Sequence, residues 1–375
     1  MTISNETGRE NRCSGCGARL QSVSPGEIGY VPEAALGRQP VICQRCFRIK
    51  HYNEISAITV DPDEFFRMLD RVGEIDALVV HVVDLFDFEG SLISGLHRFV
   101  GNNPIVVAAN KIDLLPQSVN PNRIMNWVRR HLKLYGLKAT DVVLCSAKQR
   151  FGIDRLVEKL NEYRDGRDVI VVGATNVGKS TLINRLIRDY SDLNEELTVS
   201  PYPGTTLDLV RIPLSDGKSV IDTPGVVYKS RLSELVPKTD LRFILPEKPI
   251  KPLNYQLNDR QTLFFGGLVR FDFVEGERQS FTCYVSNALP VHRTKLERAD
   301  SLYAEQLGNL LKPPDRDRAG ELPPLVKHGL RIPPGSNNDV LISGIGWVKV
   351  NGNSGAQLVV HAPKGVKVAV REAMI

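Results

Sequence analysis

Asp168-Val169-Ile170-Val171-Val172-Gly173-Ala174-Thr175-Asn176-Val177-Gly178-Lys179-Ser180 fixes the centre of the fold. Its first five residues are an apolar, largely β-branched run that predicts a buried strand, and Lys179 to Arg188, with apolar positions at Leu182, Leu186 and Ile187, predicts a helix. The loop between them therefore opens a helix N-terminus. Gly173 and Gly178 let backbone N–H groups of the loop point inward at phosphate oxygens. Thr175, Asn176, Val177, Gly178, Lys179, Ser180 and Thr181 are the candidate phosphate-binding set. Lys179 supplies a point charge for β- and γ-phosphates, and Ser180 a hydroxyl for Mg²⁺. A strand–helix turn that binds nothing is the alternative, set aside because all eight motif positions match in that context.

Upstream, Val106 to Ala109 closes another apolar run, so Asn110-Lys111-Ile112-Asp113 sits at a strand's C-terminal edge, where ligands of α/β sheets bind. An Asp113 carboxylate there accepts from guanine N1–H and N2–H₂. Adenine offers neither donor and would leave a buried charge unpaired. Ser146-Ala147-Lys148, after the run Val142 to Cys145, supplies a second base contact through backbone N–H. Lys148 taken alone reads equally as a solvated loop lysine. Asn110, Lys111, Asp113, Ser146, Ala147 and Lys148 are thus the candidate base-reading residues, and GTP or GDP the expected ligand.

Downstream come Pro203-Gly204-Thr205-Thr206 and Asp222-Thr223-Pro224-Gly225. Thr206, with Thr205 as fallback, is expected to reach Mg²⁺ and the γ-phosphate; Asp222 to hold a metal-bound water; and Gly225 to donate its N–H to the γ-phosphate. Val226 follows, where Ras-like enzymes carry a water-orienting glutamine. Valine has no donor or acceptor. Asn176 is a candidate to hold a K⁺ that meets transition-state charge, against the simpler reading of a loop residue capping its own backbone. Lys179, Thr206, Asn176 and Gly225 are the expected catalytic set.

The base-reading parts precede the phosphate-handling parts, so the customary order is rotated. Strands are predicted at Ala77–Asp84, Pro104–Ala109, Val142–Ser146, Asp168–Gly173, Leu207–Leu214 and Lys218–Asp222. Helices are predicted at Asp61–Val72, Ser91–Val100, Pro121–Tyr135, Gly152–Tyr163 and Lys179–Arg188, and the alternation implies a doubly wound, mostly parallel α/β sheet. Pro246 to Pro252 reads as a stiff linker. Beyond it, Leu263–Val269, Phe281–Val285, Asp339–Val350, Gln357–His361 and Lys367–Arg371 look like strands, and the proline pairs at 313–314, 323–324 and 333–334 confine the stretch between them to loop. Arg270, Phe271, Phe273, Arg293, Arg298, Trp347 and Lys349 of this β-rich region either face nucleic acid or divide into core aromatics and solvent-facing cations. The expected organisation is residues 1–60, 61–225, a switch and linker at 226–254, and 255–375.

Cys13-Ser14-Gly15-Cys16 and Cys43-Gln44-Arg45-Cys46 are two C-x-x-C knuckles separated by 26 residues. Four thiolates make a closed tetrahedral Zn²⁺ site, and with few large apolar residues in 1–60 the metal supplies most of that module's folding energy. Disulfides or a redox pair are the competing reading. Without a signal peptide or an apolar run near the roughly 20 residues of a membrane span, the expectation is a cytoplasmic protein with no membrane contact. Cys145 and Cys283 read as buried small hydrophobes. Of the net charge of +5, residues 1–60 carry +2 (7 basic, 5 acidic), residues 61–225 carry −3 (20 and 23) and residues 226–375 carry +6 (21 and 15). Positive charge flanks the nucleotide domain, which suggests an anionic partner.

The rotated motif order, the four-cysteine segment, Val82-Val83-Asp84-Leu85-Phe86-Asp87-Phe88-Glu89-Gly90-Ser91 and the basic β-rich C-terminal region together resemble the YqeH family of circularly permuted bacterial GTPases of small-ribosomal-subunit assembly. The resemblance covers essentially the full length. It implies a treble-clef-like zinc module, a permuted P-loop GTPase domain and a C-terminal domain similar to the tryptophan-RNA-binding attenuation protein fold. It also implies the 30S subunit or its precursor and rRNA as partners, Val226 as the hydrophobic residue in the glutamine's place, and Asn176 as the asparagine associated with potassium. A GTP-dependent RNA-modifying factor and a non-cycling, nucleotide-stabilised RNA-binding scaffold are the other two readings. No second catalytic constellation supports the first, and intact Ser180, Thr206 and Asp222 oppose the second.

Overall fold

The computed structural model describes residues 12–13, 18–25, 29–35, 41–52, 59–190, 198–201, 208–214, 216–352 and 354–375. Its chain divides into two compact units. One holds residues up to Asp84, Ser91–Lys111 and Val128–Val227; the other holds Leu85–Gly90, Ile112–Trp127 and Tyr228–Ile375.

In the first unit, α1 (Gln44–Tyr52) and α2 (Pro62–Val72) precede β1 (Ala77–Asp84) and β2 (Ile105–Asn110). Then follow α3 (Pro121–Leu134, whose residues up to Trp127 belong to the second unit), β3 (Asp141–Leu144), α4 (Ile153–Arg164), β4 (Asp168–Gly173), α5 (Lys179–Tyr190), β5 (Thr198–Pro201), β6 (Asp208–Pro213) and β7 (Ser219–Asp222). Helix α2 starts where the sequence places a cap: Asp61 accepts the Glu64 N–H at 3.0 Å, and Pro62, lacking a donor, opens the first turn. The strands form one seven-stranded sheet in the order β3-β2-β1-β4-β7-β6-β5. Pairing is parallel from β3 through β7 and antiparallel at β6 and β5. Strands β1, β2 and, after its first residue, β4 are buried along their length, as expected of parallel strands covered on both faces. The rotated order is therefore built into the sheet, because β2 and β3, which carry the base-reading motifs, enter before β4.

The predicted helix Ser91–Val100 is not continuous. Short helices at Phe88–Ser91 and Leu96–Phe99 flank Gly95, whose φ of +72 ends any continuous helix. A further two-residue parallel pairing aligns Thr59 with Gly225 and Val60 with Val226.

In the second unit, β8 (Leu253–Leu257), β9 (Gln261–Phe265), β10 (Val269–Glu275), β11 (Gln279–Val285), β12 (Val291–Lys295), α6 (Leu296–Gln306), β13 (Leu325–Ile332), β14 (Asn338–Ile342), β15 (Gly346–Asn351), β16 (Ala356–Pro363) and β17 (Val368–Glu372) follow in order. Two five-stranded antiparallel sheets result, β8-β11-β15-β14-β17 and β12-β9-β10-β16-β13. Alternate residues of both meet in one core, with Phe271 and Phe273 from β10 against Phe281 of β11. Phe271, Phe273 and Trp347 are fully buried, Arg270 pairs with Asp272 at 2.7 Å and with Asp300, and Lys349 donates to the Ile375 carbonyl at 2.7 Å. Of the residues expected to face nucleic acid, only Arg293 and Arg298 are exposed. Nor is the proline-flanked stretch all loop. Leu325–Ile332 is an eight-residue edge strand, where prolines at its ends cost no ladder hydrogen bond. The expected linker is docked: Ile250 is buried with its N–H on the Leu114 carbonyl at 2.9 Å, and Asn287 bonds both the Pro249 carbonyl and the Lys251 N–H.

The same unit encloses a polar cluster. Arg231 donates to Asp87 at 2.7 Å, Ser343 donates to Asp87 at 3.0 Å, and Arg371 bonds Glu89 and Asp339 while stacking over Trp127 and Trp347. Burial pushes the Asp339 carboxyl pKa up, against the pull of Arg371.

Candidate functional site

The C-terminal ends of β1, β2, β4 and β7 converge in the first unit. At the end of β2, Asn110 is 2% exposed. Its Nδ2 donates to the Val177 carbonyl at 2.9 Å, and its Oδ1 accepts the Ala147 N–H at 3.0 Å. One side chain thus joins three motifs that are far apart in the chain. Lys111, at φ +66, donates from Nζ to Asp84 at 2.7 Å and to the Asn176 carbonyl. Its ammonium crosses the opening of the phosphate loop. The Asp84 carboxylate lies directly beside Asn110 in register across β1 and β2.

The loop itself needs its glycines. Gly178 is at φ +86, and a Cβ there would sit 2.5 Å from Asn110 Nδ2; a Cβ at Gly173 would meet the Val82 carbonyl at 2.9 Å. Asn176 is at φ +61 with an exposed side chain, and Thr175 donates its N–H to the Val226 carbonyl at 2.9 Å. Lys179, 6% exposed, donates to Asp222 and to the Thr223 carbonyl. Thr223 is pinned in turn, its hydroxyl donating to the Val171 carbonyl at 2.8 Å. Ser180 is half-buried and Thr181 exposed in the first turn of α5, whose backbone N–H groups leave a partial positive charge at that end. Val226 is fully buried, so its side chain faces core and orients nothing polar; Gly225 beside it is also buried.

Ser146 is buried, its hydroxyl accepting the Gln149 N–H at 3.0 Å, while Lys148 is exposed. Arg185 of α5 holds this loop by donating to the Ala147 and Lys148 carbonyls at 3.1 and 3.2 Å. Asp113, half-buried, is the middle residue of the 3₁₀ turn Ile112–Leu114 in the second unit. Thr205 and Thr206 lie outside the described residues, as does Cys16.

Sequence reasoning assigned no role to Asp84, Arg185 or Thr223. Asp84 carried a signal as the carboxylate ending a buried strand, and Thr223 as part of Asp222-Thr223-Pro224-Gly225; Arg185 carried none. His81, on β1 with Asp84, is fully buried, accepts the Ile93 N–H at 3.3 Å, and has its pKa lowered to about 3 by burial, with a smaller opposing effect from the Ser91 backbone.

In the N-terminal segment the sulfurs of Cys13, Cys43 and Cys46 lie within 4.8 Å of one another, and the Cys43 N–H donates to Cys13 Sγ at 3.1 Å. All three are buried and none is in a disulfide. Converging thiols with an N–H on one sulfur fit a thiolate metal site, with a small core of Ala18 and Val31 around them.

Residues 168–261 match the family described as 50S ribosome-binding GTPase, and residues 278–374 the family described as YqeH-like, C-terminal. YqeH of Bacillus subtilis (strain 168) is 48% identical over 363 residues, covering 97% of this chain and 99% of that protein. NO-associated protein 1 of Arabidopsis thaliana is 30% identical over 387 residues, covering 90% and 69%. Among solved structures, GNP-bound YlqF from T. maritima aligns with 23% identity and a TM-score of 0.31 over 44% of this chain and 60% of that one.

Proposed function

The chain belongs to the YqeH family and hydrolyses GTP, and from that premise we propose that it is a nucleotide-gated switch in assembly of the small (30S) ribosomal subunit, binding rRNA or the pre-ribosome according to the nucleotide held. The observation that carries this reading is the strut made by Asn110. By bonding both Val177 and Ala147 it fixes the phosphate loop against the base-reading loop, the relation a guanine nucleotide requires.

The roles follow from placement. Lys179 serves the β- and γ-phosphates, exchanging its bonds to Asp222 and the Thr223 carbonyl for phosphate oxygens. Loop amides from Thr175 to Thr181 receive the remaining phosphate charge at the start of α5. Asp113 reads guanine, and Ser146, Ala147 and Lys148 close over the base. The Ser180 hydroxyl and the Asp222 carboxylate, both hard oxygen donors, fit Mg²⁺, with Thr206 as a third ligand; when bound, that ion neutralises charge on the phosphates. Gly225 donates its N–H to the γ-phosphate, and Asn176 holds a monovalent cation, since Val226 is buried and cannot orient water. Cys13, Cys16, Cys43 and Cys46 hold a structural Zn²⁺.

Coupling runs along the chain. Asp222 to Val226 lead directly into Tyr228, and four residues beyond Val227 the buried Arg231 is tied to Asp87. A γ-phosphate that orders the first segment thereby alters the tension on an anchored one. Sedimentation of the protein with purified 30S and 50S subunits, in GTP and in GDP, tests the reading. Co-sedimentation with 30S that changes with nucleotide is expected. Association with 50S alone, or with 30S regardless of nucleotide, would overturn it.

A further inference from the structure

Helix α5 opens with Lys179 and Ser180, and the same rigid element carries Arg185 about 9 Å further along its axis, at about 1.5 Å per residue. Leu182, Ile183 and Ile187 turn one side of the helix into the core. Arg185 and Asp189, one turn apart and half-buried, lie along the border of that side, where Arg185 reaches the loop that follows β3.

All three guanidinium nitrogens of Arg185 are engaged there. Nε donates to the Ala147 carbonyl at 3.1 Å and Nη2 to the Lys148 carbonyl at 3.2 Å, while Nη1 lies 3.9 Å from the Asp189 carboxylate. Arg150, at the far end of the loop, brings its Nε within 3.5 Å of the same carboxylate. The pair with Asp189 is the longest of the three Arg185 contacts, so the side chain is directed by the loop more than by its own helix. One planar fork thus fixes two consecutive peptide units. A trans peptide whose carbonyl points at Arg185 directs the Lys148 N–H to the opposite side, away from the guanidinium. The next unit is held at both ends, its carbonyl by Arg185 and its N–H, that of Gln149, by Ser146 Oγ at 3.0 Å. With the Ala147 N–H on Asn110, the directions of the loop's backbone donors depend on Asn110 and Arg185 together.

We propose that Arg185 is a positioning residue for the guanine nucleotide. It acts through the loop and not on the nucleotide, setting the backbone of Ser146-Ala147-Lys148 from the helix whose first turn serves the phosphates, so that one rigid element holds both ends of the ligand. The inference rests on the reading of those three residues as the base-reading loop. A loop that holds the base equally in the ground state and in the transition state supplies uniform binding, and its loosening raises KM and spares kcat.

Release of a fluorescent GDP analogue, GTP turnover and amide exchange, all in the full chain, test it. Arg185→Met keeps the apolar stem and removes every donor. It should release the analogue about tenfold faster, the equivalent of about 1.4 kcal/mol, and raise the KM for GTP by a similar factor with kcat kept. Amides of residues 146–149 should exchange faster while those of residues 173–181 hold the parental rate. Arg185→Lys, with one nitrogen in place of three, should fall between the parent and the methionine variant, and it carries the test alone if the latter does not fold. Unchanged release of the analogue overturns the assignment. So does a kcat that falls at constant KM, or exchange quickened equally over both segments, the mark of a merely structural role. The loop itself is tested in the parent, where GDP should protect the amides of residues 146–149. Absence of that protection overturns the base-reading loop and this inference with it; protection in the parent with unchanged release in the variants overturns Arg185 alone.

Discussion

Replacing Asn110 by alanine should uncouple the phosphate loop from the base-reading loop. In the native protein two of its hydrogen bonds, 2.9 Å to the Val177 carbonyl and 3.0 Å from the Ala147 N–H, are buried. Alanine removes both partners at once and admits no replacement for either. Each orphaned buried group costs about 1–3 kcal/mol, so about 3 kcal/mol in all is a middle value. For a unit of this size that corresponds to a fall in melting temperature of roughly 6–12 °C, at about 2–4 °C per kcal/mol. Thermal unfolding of the nucleotide-free protein gives the first readout. Hydrogen exchange at the Ala147 amide gives a sharper one, because its Asn110 acceptor is lost and exchange should quicken selectively. Affinity for a fluorescent GDP analogue should fall with it. A variant that melts within about 2 °C of the parent, with unchanged Ala147 exchange, would refute the strut and the argument built on it.

Three further outcomes are expected. His81 is held neutral, its pKa lowered to about 3 from 6.5; because the unfolded chain takes up this proton first, the stability it contributes is complete above pH 6.5 and is lost as pH falls toward 3. Roughly 2 kcal/mol should be gone at pH 5, and His81→Gln should flatten that part of the stability–pH curve, measured by urea unfolding. Cys43→Ser should release about one equivalent of zinc per chain and raise exchange in residues 41–52 while nucleotide affinity holds; a full complement of metal in the variant would count against the cysteine site. GTP hydrolysis should run faster in KCl than in NaCl at equal ionic strength, and Asn176→Ala should abolish that difference with little change in binding; equal rates in the two salts for the parent protein would remove the cation.

What was legible in the sequence was local. Ala77–Asp84 and Asp168–Gly173 appear with the expected bounds, since short runs dominated by valine and isoleucine admit few alternatives. Asp339–Val350, which reads as one strand, is a hairpin. Gly344 at φ +84 and Gly346 at φ +129 turn the chain there, and the apolar pattern runs through the turn without a break. Leu296–Gln306 was illegible as a helix because little of it is core: Ala299 is its only fully buried residue, and the Arg270–Asp300 pair that ties it to the sheet joins residues 30 apart. The site shows the same division. Motif residues identify themselves by type and order, but that Asn110 bonds Val177, 67 residues on, is a property of the packed sheet. Arg185 carries no motif, and its grip on the Ala147 and Lys148 carbonyls depends on the face of α5 that β4 happens to present.

The cluster around Arg371 sets a timetable for synthesis. Glu89 emerges early and waits for Arg371, 282 residues downstream. At about 5–20 residues per second, translation separates the two by roughly 15–60 s. Over that interval Phe88 and Trp127, which end packed on each other with the arginine over Trp127, have no finished core to enter. The second unit therefore closes around residues 85–90 only once the last strands are released, and until then that segment stays open to chaperones or premature association.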